Sequence, residues 1–177
     1  LMAGSLLALA DARTLLVGGH TSETDATSAG FAVTGTRNVA PTPPRLEQDP
    51  VLLITKPVGT GVIMAGGMRL DAHGDWVTAA LDSMSLGNRL AADILQQDNP
   101  MMTDVTGFGL ARHALNLAER CGFTGVEITL SAVPLLPGAG ILVEQGIRSS
   151  LHDANRAAVR LAYDSRGLRS TAQKARK

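Results

Sequence analysis

Residues 103–109 read Thr-Asp-Val-Thr-Gly-Phe-Gly, which places a carboxylate on a tight turn directly before an amphipathic helix. After Gly109 the apolar residues recur at helical spacing and Gly122 follows as a stop signal, so the sequence predicts a helix over residues 109–120. The N-terminus of that helix favours an anion, and Asp104 can hold a divalent cation beside it. The alternative is that Asp104 or Thr106 simply caps the helix.

The composition predicts a compact protein of one domain, or one domain and a fraction. Hydrophobic residues make up 45% of the 177 residues but aromatic residues only 3%, so Leu, Val, Ile and Ala must build the core. A formal net charge of zero gives no indication of a nucleic-acid partner. The apolar start of the chain is interrupted by Asp11 and Arg13, too early for a membrane span. The single cysteine, Cys121, excludes an internal disulfide and fits a reducing, cytoplasmic location.

The first unit, residues 1–40, reads as the end of a helix followed by two strands at residues 14–17 and 30–36. Prolines at positions 41, 43 and 44 remove backbone donors and fix φ, so residues 41–48 are predicted to form a linker. The first residues lie in the middle of a helical pattern, and we therefore expect the chain to derive from something longer.

The second unit, residues 49–163, alternates predicted strands and helices, which favours an α/β fold (an α+β sandwich) with a mixed sheet covered by helices. The strands are predicted at residues 51–55, 101–105 and 125–130, and the helices at residues 62–68, 76–97, 109–120 and 138–145. Residues 164–177 form a basic, polar tail that offers little apolar surface to bury, so we expect this tail to be disordered.

Other candidate sites each have a structural alternative. Gly18 and Gly19 follow a predicted strand and would let a phosphate approach the backbone, but a Gly-Gly pair is also a common turn. Lys56, beside a proline, is interpreted as a solvated charge. The Asp71, His73 and Asp75 group lacks a metal-ligand spacing and is interpreted as a polar loop.

Four stretches, taken in order, resemble the selenophosphate synthetase (selenide, water dikinase) family, within the superfamily of aminoimidazole ribonucleotide synthetase. Asp-Val-Thr-Gly-Phe-Gly at 104–109 resembles its metal-binding signature, and Leu-Val-Gly-Gly-His-Thr at 16–21 resembles its glycine-rich ATP segment. Residues 54–61 and 132–138 resemble its strand-to-helix loop and its later proline-rich segment. The resemblance implies Mg²⁺ at Asp104 and nucleotide contacts from Gly18, Gly19, His20 and Thr21.

The resemblance also implies a fold and an activity. The second unit would be the superfamily's C-terminal α/β domain, and residues 1–40 the tail of the N-terminal, ATP-binding and dimer-forming domain. The family reaction converts selenide, ATP and water into selenophosphate, AMP and phosphate in a cytoplasmic homodimer.

The family's N-terminal segment, which carries a catalytic cysteine or selenocysteine, a lysine and further aspartates, has no counterpart here. We therefore assign no catalytic residue and expect the isolated chain to have no turnover. Past Asn155 the sequence also departs from the family pattern. The alternatives are another ATP-dependent synthetase of the superfamily, or a non-catalytic domain that dimerises or binds a partner.

Overall fold

A computed structural model of the chain describes residues 2–36, 50–98, 100–163 and 169–174, with residues 160–163 and 169–174 described by their backbone. The chain divides into two compact units, Leu1–Ala40 and Pro41–Lys177. The linker predicted at residues 41–48 lies outside the described residues. Each unit is taken by itself below.

The first unit contains helix α1, Met2–Asp11. After this helix the described residues run without regular secondary structure to position 36, and their side chains are exposed. The strands predicted at residues 14–17 and 30–36 are therefore wrong for this structure. A strand needs a neighbour to satisfy its backbone groups, and no described segment pairs with either stretch.

The second unit contains six α-helices and three β-strands within the described residues. The helices are α2 Thr60–Met68, α3 Gly74–Ser85, α4 Arg89–Leu95, α5 Gly109–Arg120, α6 Ala139–Glu144 and α7 His152–Ala157, and the strands are β1 Gly125–Thr129, β2 Val159–Tyr163 and β3 Arg169–Lys174. Short 3₁₀ turns occur at Gln96–Asp98 and Leu130–Ala132. The predictions of α2, α5, α6 and β1 are confirmed, with α5 matching at both ends.

The long helix predicted at residues 76–97 is instead two helices, α3 and α4. The break occurs at Leu86, whose ψ of 113° is extended, and Gly87 follows it. Glycine is a poor helix former, and here it coincides with the point where the backbone leaves the helix. The apolar pattern continued across the break because both helices present apolar residues at similar spacing.

The described strands form an antiparallel sheet in the order β1-β3-β2. Ala172 of β3 lies opposite Val126 on one side and Leu161 on the other. Helix α5 packs against β1 and β3, and α7 packs against β2. The α/β class is confirmed, but this sheet is antiparallel rather than mixed, and the parallel pairing seen in the described residues is the single bridge between Val58 and Leu135.

Strand β3 falls within residues 164–177, which composition predicted to be a disordered tail. It is the central strand, so both of its edges are paired. Composition alone cannot indicate such pairing, because the ladder partners lie far away in sequence and hydrogen-bond through the backbone. The other residues of the predicted tail lie outside the described residues.

Two further predicted strands, residues 51–55 and 101–105, are extended but form no ladder with any described segment. Val51 and Leu53 were expected to be buried, yet 82% and 73% of their surface is exposed. Their apolar character fits a buried strand, but the described residues contain no partner for it. Both segments instead line the cleft described below.

The core of the second unit lies between α2, α3 and α6. Ile63 of α2 and Leu142 of α6 are fully buried. The remaining core residues are Ala65, Ala80, Leu136, Ala139 and Ile147, with Val62, Ala72, Trp76 and Val77 packed around them. Gly66 makes the contact between α2 and α6 possible, because a Cβ there would lie 3.1 Å from both methyl groups of Leu142.

Two glycines allow close packing at the starts of α2 and α6. Gly59 has φ +126°, and a Cβ on it would lie 2.6 Å from the Cβ of Ala139. Gly138, immediately before α6, has φ +79°, and a Cβ on it would overlap the Trp76 ring. Next to these glycines, the Val58 N–H donates to the Pro134 carbonyl and the Leu136 N–H donates to the Val58 carbonyl, both at 2.9 Å.

Lys56 caps helix α3. Its Nζ donates to the carbonyl oxygens of Leu86 at 2.7 Å and Ser83 at 3.0 Å. The C-terminal end of a helix carries partial negative charge and unpaired carbonyls, which a cation satisfies. The interpretation of Lys56 as a merely solvated charge is therefore wrong.

None of the helices in the described ranges is both long enough and apolar enough to cross a membrane.

Replacing Gly138 with alanine should lower the free energy of unfolding by on the order of 3 kcal/mol, because the new Cβ meets Trp76 and the backbone stays at positive φ. The matched control is Gly122→Ala, where φ is +87° but a Cβ meets nothing within 4 Å. The control should cost about 1 kcal/mol. Urea unfolding of both variants measures the difference, and equal losses would refute the close approach to Trp76.

Replacing Lys56 with methionine keeps most of the apolar side chain but removes the ammonium that caps α3. We expect a loss of about 1.5 kcal/mol in the free energy of unfolding, since hydrogen bonds from a charged donor are lost. Arg69→Met is the control, because Arg69 is a cationic residue at the C-terminal end of α2 whose side chain makes no hydrogen bond in the described residues. A loss in Lys56→Met no larger than in Arg69→Met would contradict the capping role.

Candidate functional site

The candidate site is a cleft of about 1220 Å³ in the second unit. Its lining includes the segment at residues 51–56 and the turn Gly59-Thr60-Gly61 at the start of α2. It also includes residues 103–107, here called the Asp104 loop, together with Gly109. Asn155 of α7 and Arg148 also contribute to the lining. The structure thus brings the motif at 104–109 together with the glycine turn at 59–61.

Neither Asp104 nor Thr106 caps helix α5. Phe108 occupies the N-cap position, and no side chain makes a capping hydrogen bond there. The loop closes through its own backbone, since the Gly109 N–H donates to the Thr106 carbonyl at 2.9 Å and Gly109 has φ +75°. The capping alternative raised by the sequence is therefore wrong, and the Asp104 carboxylate has no structural role as a cap.

His113 of α5 supports the Asp104 loop through a hydrogen bond to its backbone. It is 8% exposed, and its Nε2 accepts a hydrogen bond of 3.2 Å from the Thr106 backbone N–H. The Thr106 hydroxyl lies 3.3 Å from the same nitrogen, and the Phe108 ring centroid lies 5.8 Å from that of the imidazole. Because Nε2 accepts, the ring proton of the neutral imidazole resides on Nδ1.

Asn155 holds the same loop from helix α7. Its Nδ2 donates to the Gly107 carbonyl at 2.7 Å. A Cβ on Gly107 would lie 3.2 Å from Cδ1 of Leu151, the residue before α7. Arg112 of α5 adds a further link, since its Nη1 donates to the Ala158 carbonyl at 3.2 Å. The loop is thus bounded by α5 on one side and α7 on the other.

The Asp104 carboxylate is exposed and makes no hydrogen bond or ion pair with the described residues. No group of three His, Cys, Asp or Glu side chains within the described ranges could hold a metal ion. The donor set at this position is therefore one hard carboxylate. Such a set does not form a protein-made cage, but it fits Mg²⁺ that takes its other ligands from phosphate and water.

Gly18, Gly19, His20 and Thr21 lie in the first unit, in an exposed segment without regular structure. Neither glycine has positive φ, and a Cβ on either would meet nothing within 4 Å. The turn that the sequence offered as an alternative is not present at these positions. The local backbone therefore gives no conformational reason for glycine at either one.

The Asp71, His73 and Asp75 group has a different role. His73 is the N-cap residue of α3, and its ring centroid lies 4.6 Å from that of Trp76. This packing places His73 beside Trp76 at the edge of the helical core.

Sequence reasoning missed His113 and the roles of Lys56 and Asn155. His113 gave a weak signal, since a histidine on the apolar face of α5 needs a hydrogen-bond partner when it is buried. No local feature of the sequence indicates the role of Asn155. The hydrogen-bond partners of His113 and Asn155 lie 7 and 48 residues away in sequence, so no local pattern identifies these two roles.

Comparison with known proteins gives consistent relatives. The chain is 38% identical over 154 residues to a selenide, water dikinase of Geobacter metallireducens, an alignment that covers 83% of this chain and 43% of that protein. It is 37% identical over 154 residues to a selenide, water dikinase of Trichlorobacter lovleyi, covering 82% of this chain and 43% of the relative. It is 30% identical over 177 residues to a selenide, water dikinase of Bdellovibrio bacteriovorus, covering 97% of this chain and 50% of the relative.

No protein-family model matches the chain, and no solved structure matches it significantly. The chain spans about half the length, or less, of the curated relatives that it matches. The alignments nevertheless extend over 83% and 97% of this chain for the relatives from Geobacter metallireducens and Bdellovibrio bacteriovorus. By its sequence, this chain belongs to the selenide, water dikinase family.

Proposed function

We propose that this chain is the part of an ATP-dependent selenide, water dikinase that receives the phosphates of the nucleotide beside Asp104. The reaction would use selenide, ATP and water and would give selenophosphate, AMP and phosphate. The observation that carries the proposal is the Asp104 carboxylate, which faces a large cleft without a capping role or a bonding partner in the described residues. A carboxylate without a bonding partner, on a loop held by hydrogen bonds, is suited to binding a cation.

Asp104 would serve as one ligand of Mg²⁺. A bound magnesium ion would neutralise phosphate charge and orient the phosphate oxygens. The protein's own contribution at this point is to hold one carboxylate on a loop fixed by backbone hydrogen bonds. A cation that prefers octahedral oxygen ligation then requires its other ligands from elsewhere.

The cleft supports a ligand of nucleotide size. Its volume of about 1220 Å³ is somewhat larger than the roughly 300–1,000 Å³ typical of small-molecule sites. Apolar side chains such as Met64 and Leu110 line part of it beside the polar groups of the Asp104 loop.

Gly18, Gly19, His20 and Thr21 are proposed to contact the nucleotide. The support is that both glycines are exposed, have no positive φ and have no close neighbour that would exclude a side chain. A glycine without a structural requirement leaves the backbone accessible to a phosphate. The proposal includes the homodimer and cytoplasmic location expected from the family.

The 177 residues alone are expected to show no turnover. The described residues place a single carboxylate at the cleft, and we assign no nucleophile or general base among them. Binding of a magnesium nucleotide and chemical turnover are therefore separate expectations. The Asp104 variant below tests only the first.

A second function, a non-catalytic domain that binds a protein partner, is favoured by a different observation. Val51 and Leu53 in the extended segment are strongly exposed, as are Leu90 and Ile94 of α4. Exposed apolar groups of this size often mark interaction surfaces. This function predicts self-association or partner binding that Asp104→Asn leaves unchanged.

Calorimetric titration of the full chain with ATP and Mg²⁺ tests the first function. Asp104→Asn keeps the shape of the side chain but removes its charge, so we expect affinity for magnesium-bound ATP to fall at least about tenfold. Binding of ATP without magnesium should change little. Asp98→Asn is the charge-matched control, since Asp98 is close in sequence but does not line the cleft.

Equal loss in Asp98→Asn and Asp104→Asn would indicate a general charge effect and would contradict the role of Asp104. A chain that binds no ATP but self-associates in sedimentation experiments, with Asp104→Asn leaving that association unchanged, would favour the non-catalytic domain.

Replacing Gly18 or Gly19 with valine tests the nucleotide contact in the first unit. Neither substitution meets a neighbouring atom, so the thermal midpoint of unfolding should change by less than about 2 °C, as for an ordinary surface substitution. If a phosphate approaches the backbone there, each valine should weaken ATP binding several-fold, by about 1 kcal/mol or more. Gly30→Val, at an equally open position, is the control. Unchanged ATP affinity in both variants would refute this contact.

A further inference from the structure

We propose that His113 and Asn155 are positioning residues, which together fix the backbone of the Asp104 loop and thereby the place of the Asp104 carboxylate. This inference rests on the proposed role of Asp104. It assigns a function to two side chains that do not belong to the metal-binding motif. Neither residue is proposed to touch the metal or to take part in the chemistry.

His113 fixes the loop at Thr106. The Thr106 N–H donates to Nε2 at 3.2 Å, and the imidazole is almost fully buried under the loop. A buried acceptor of this kind selects one loop conformation, because any other conformation leaves both the amide and the ring nitrogen without a partner. Thr106 is two residues from Asp104, so its position constrains where the carboxylate can reach.

Asn155 fixes the loop one residue later, at Gly107. The 2.7 Å hydrogen bond from Nδ2 to the Gly107 carbonyl is short for an N–H donor. Gly107 permits the close approach of α7, since a Cβ would lie 3.2 Å from Leu151 Cδ1. The adjacent peptide groups of Thr106 and Gly107 are thus held from two different helices.

The loop lacks the usual source of order at such a position. Helix α5 begins without a side-chain cap, and among the described residues the hydrogen bonds from other segments to the loop backbone are those of His113 and Asn155. Ordinary capping would have tied the loop to α5 alone. The observed arrangement also ties it to α7, so a shift of α7 would change where Asp104 lies.

Amide hydrogen exchange followed by NMR on the full chain tests this arrangement. The variants are His113→Leu, which removes the acceptor, and Asn155→Ala, which removes the donor while favouring the helix. In each variant the amides of Thr106 and Gly109 should exchange about five to ten times faster, as expected for the loss of one net hydrogen bond. The amides around Ile63 and Leu142, in the helical core, should not change.

Two controls separate positioning from general stability. His113→Gln places an amide oxygen within similar reach of Thr106 and should restore slow exchange to within about twofold of the wild-type chain. Leu115→Val truncates a fully buried side chain in the same helix, and Leu115 supplies neither of the hydrogen bonds that hold the loop. It should leave the exchange of Thr106 and Gly109 unchanged relative to the core amides.

Titration with magnesium-bound ATP gives the second readout. His113→Leu and Asn155→Ala should each weaken binding about fivefold or more, whereas His113→Gln and Leu115→Val should bind like the wild-type chain. If the wild-type chain binds through Asp104 and the two variants bind equally well, the positioning role is refuted. If exchange at Thr106 is unchanged in both variants, the proposal fails whatever the nucleotide does. A wild-type chain that does not bind ATP refutes the proposed function, and the exchange rates still decide whether these residues fix the loop.

Discussion

The backbone pairing of Val58 with Pro134 and Leu136 is the constraint on which the second unit depends. Two hydrogen bonds of 2.9 Å hold the segment before α2 against the segment before α6. The helices that follow can then meet only where side chains are small, which is why Gly59 lies against Ala139 and Gly66 against Leu142. Burial of Ile63 and Leu142 stabilises the contact once the backbones are this close.

The same pairing determines one wall of the cleft. It fixes the Gly59-Thr60-Gly61 turn at the start of α2, and Lys56 on the other side of Pro57 reaches the end of α3. A cation at that helix end is stabilised by the carbonyls it satisfies. The extended segment at residues 51–56 is thereby attached to the core at its end, although its apolar side chains remain largely exposed.

The sequence predicted local structure well and pairing poorly, for one physical reason. Helix α5 was predicted to the residue because its periodicity and the stop signal at Gly122 are both local features. The sheet was not, because strand β3 is polar and its place between β1 and β2 depends on backbone partners distant in sequence. Apolar runs at residues 51–55 and 101–105 satisfied the strand pattern, yet a pattern cannot supply the partner strand.

In the candidate site, too, the sequence identified the functional group but not the residues that hold it in place. A motif identified Asp104, because a carboxylate before a helix has a recognisable chemistry, but it could not show whether that carboxylate caps the helix. Only the placement of Phe108 at the N-cap decides this, and only the fold brings Asn155 to Gly107 across 48 residues. The motif therefore identifies the carboxylate, while its geometry depends on side chains whose sequence positions carry no sign of the role. For this chain, the placement of Asp104 is as much a property of α5 and α7 as of the loop that carries it.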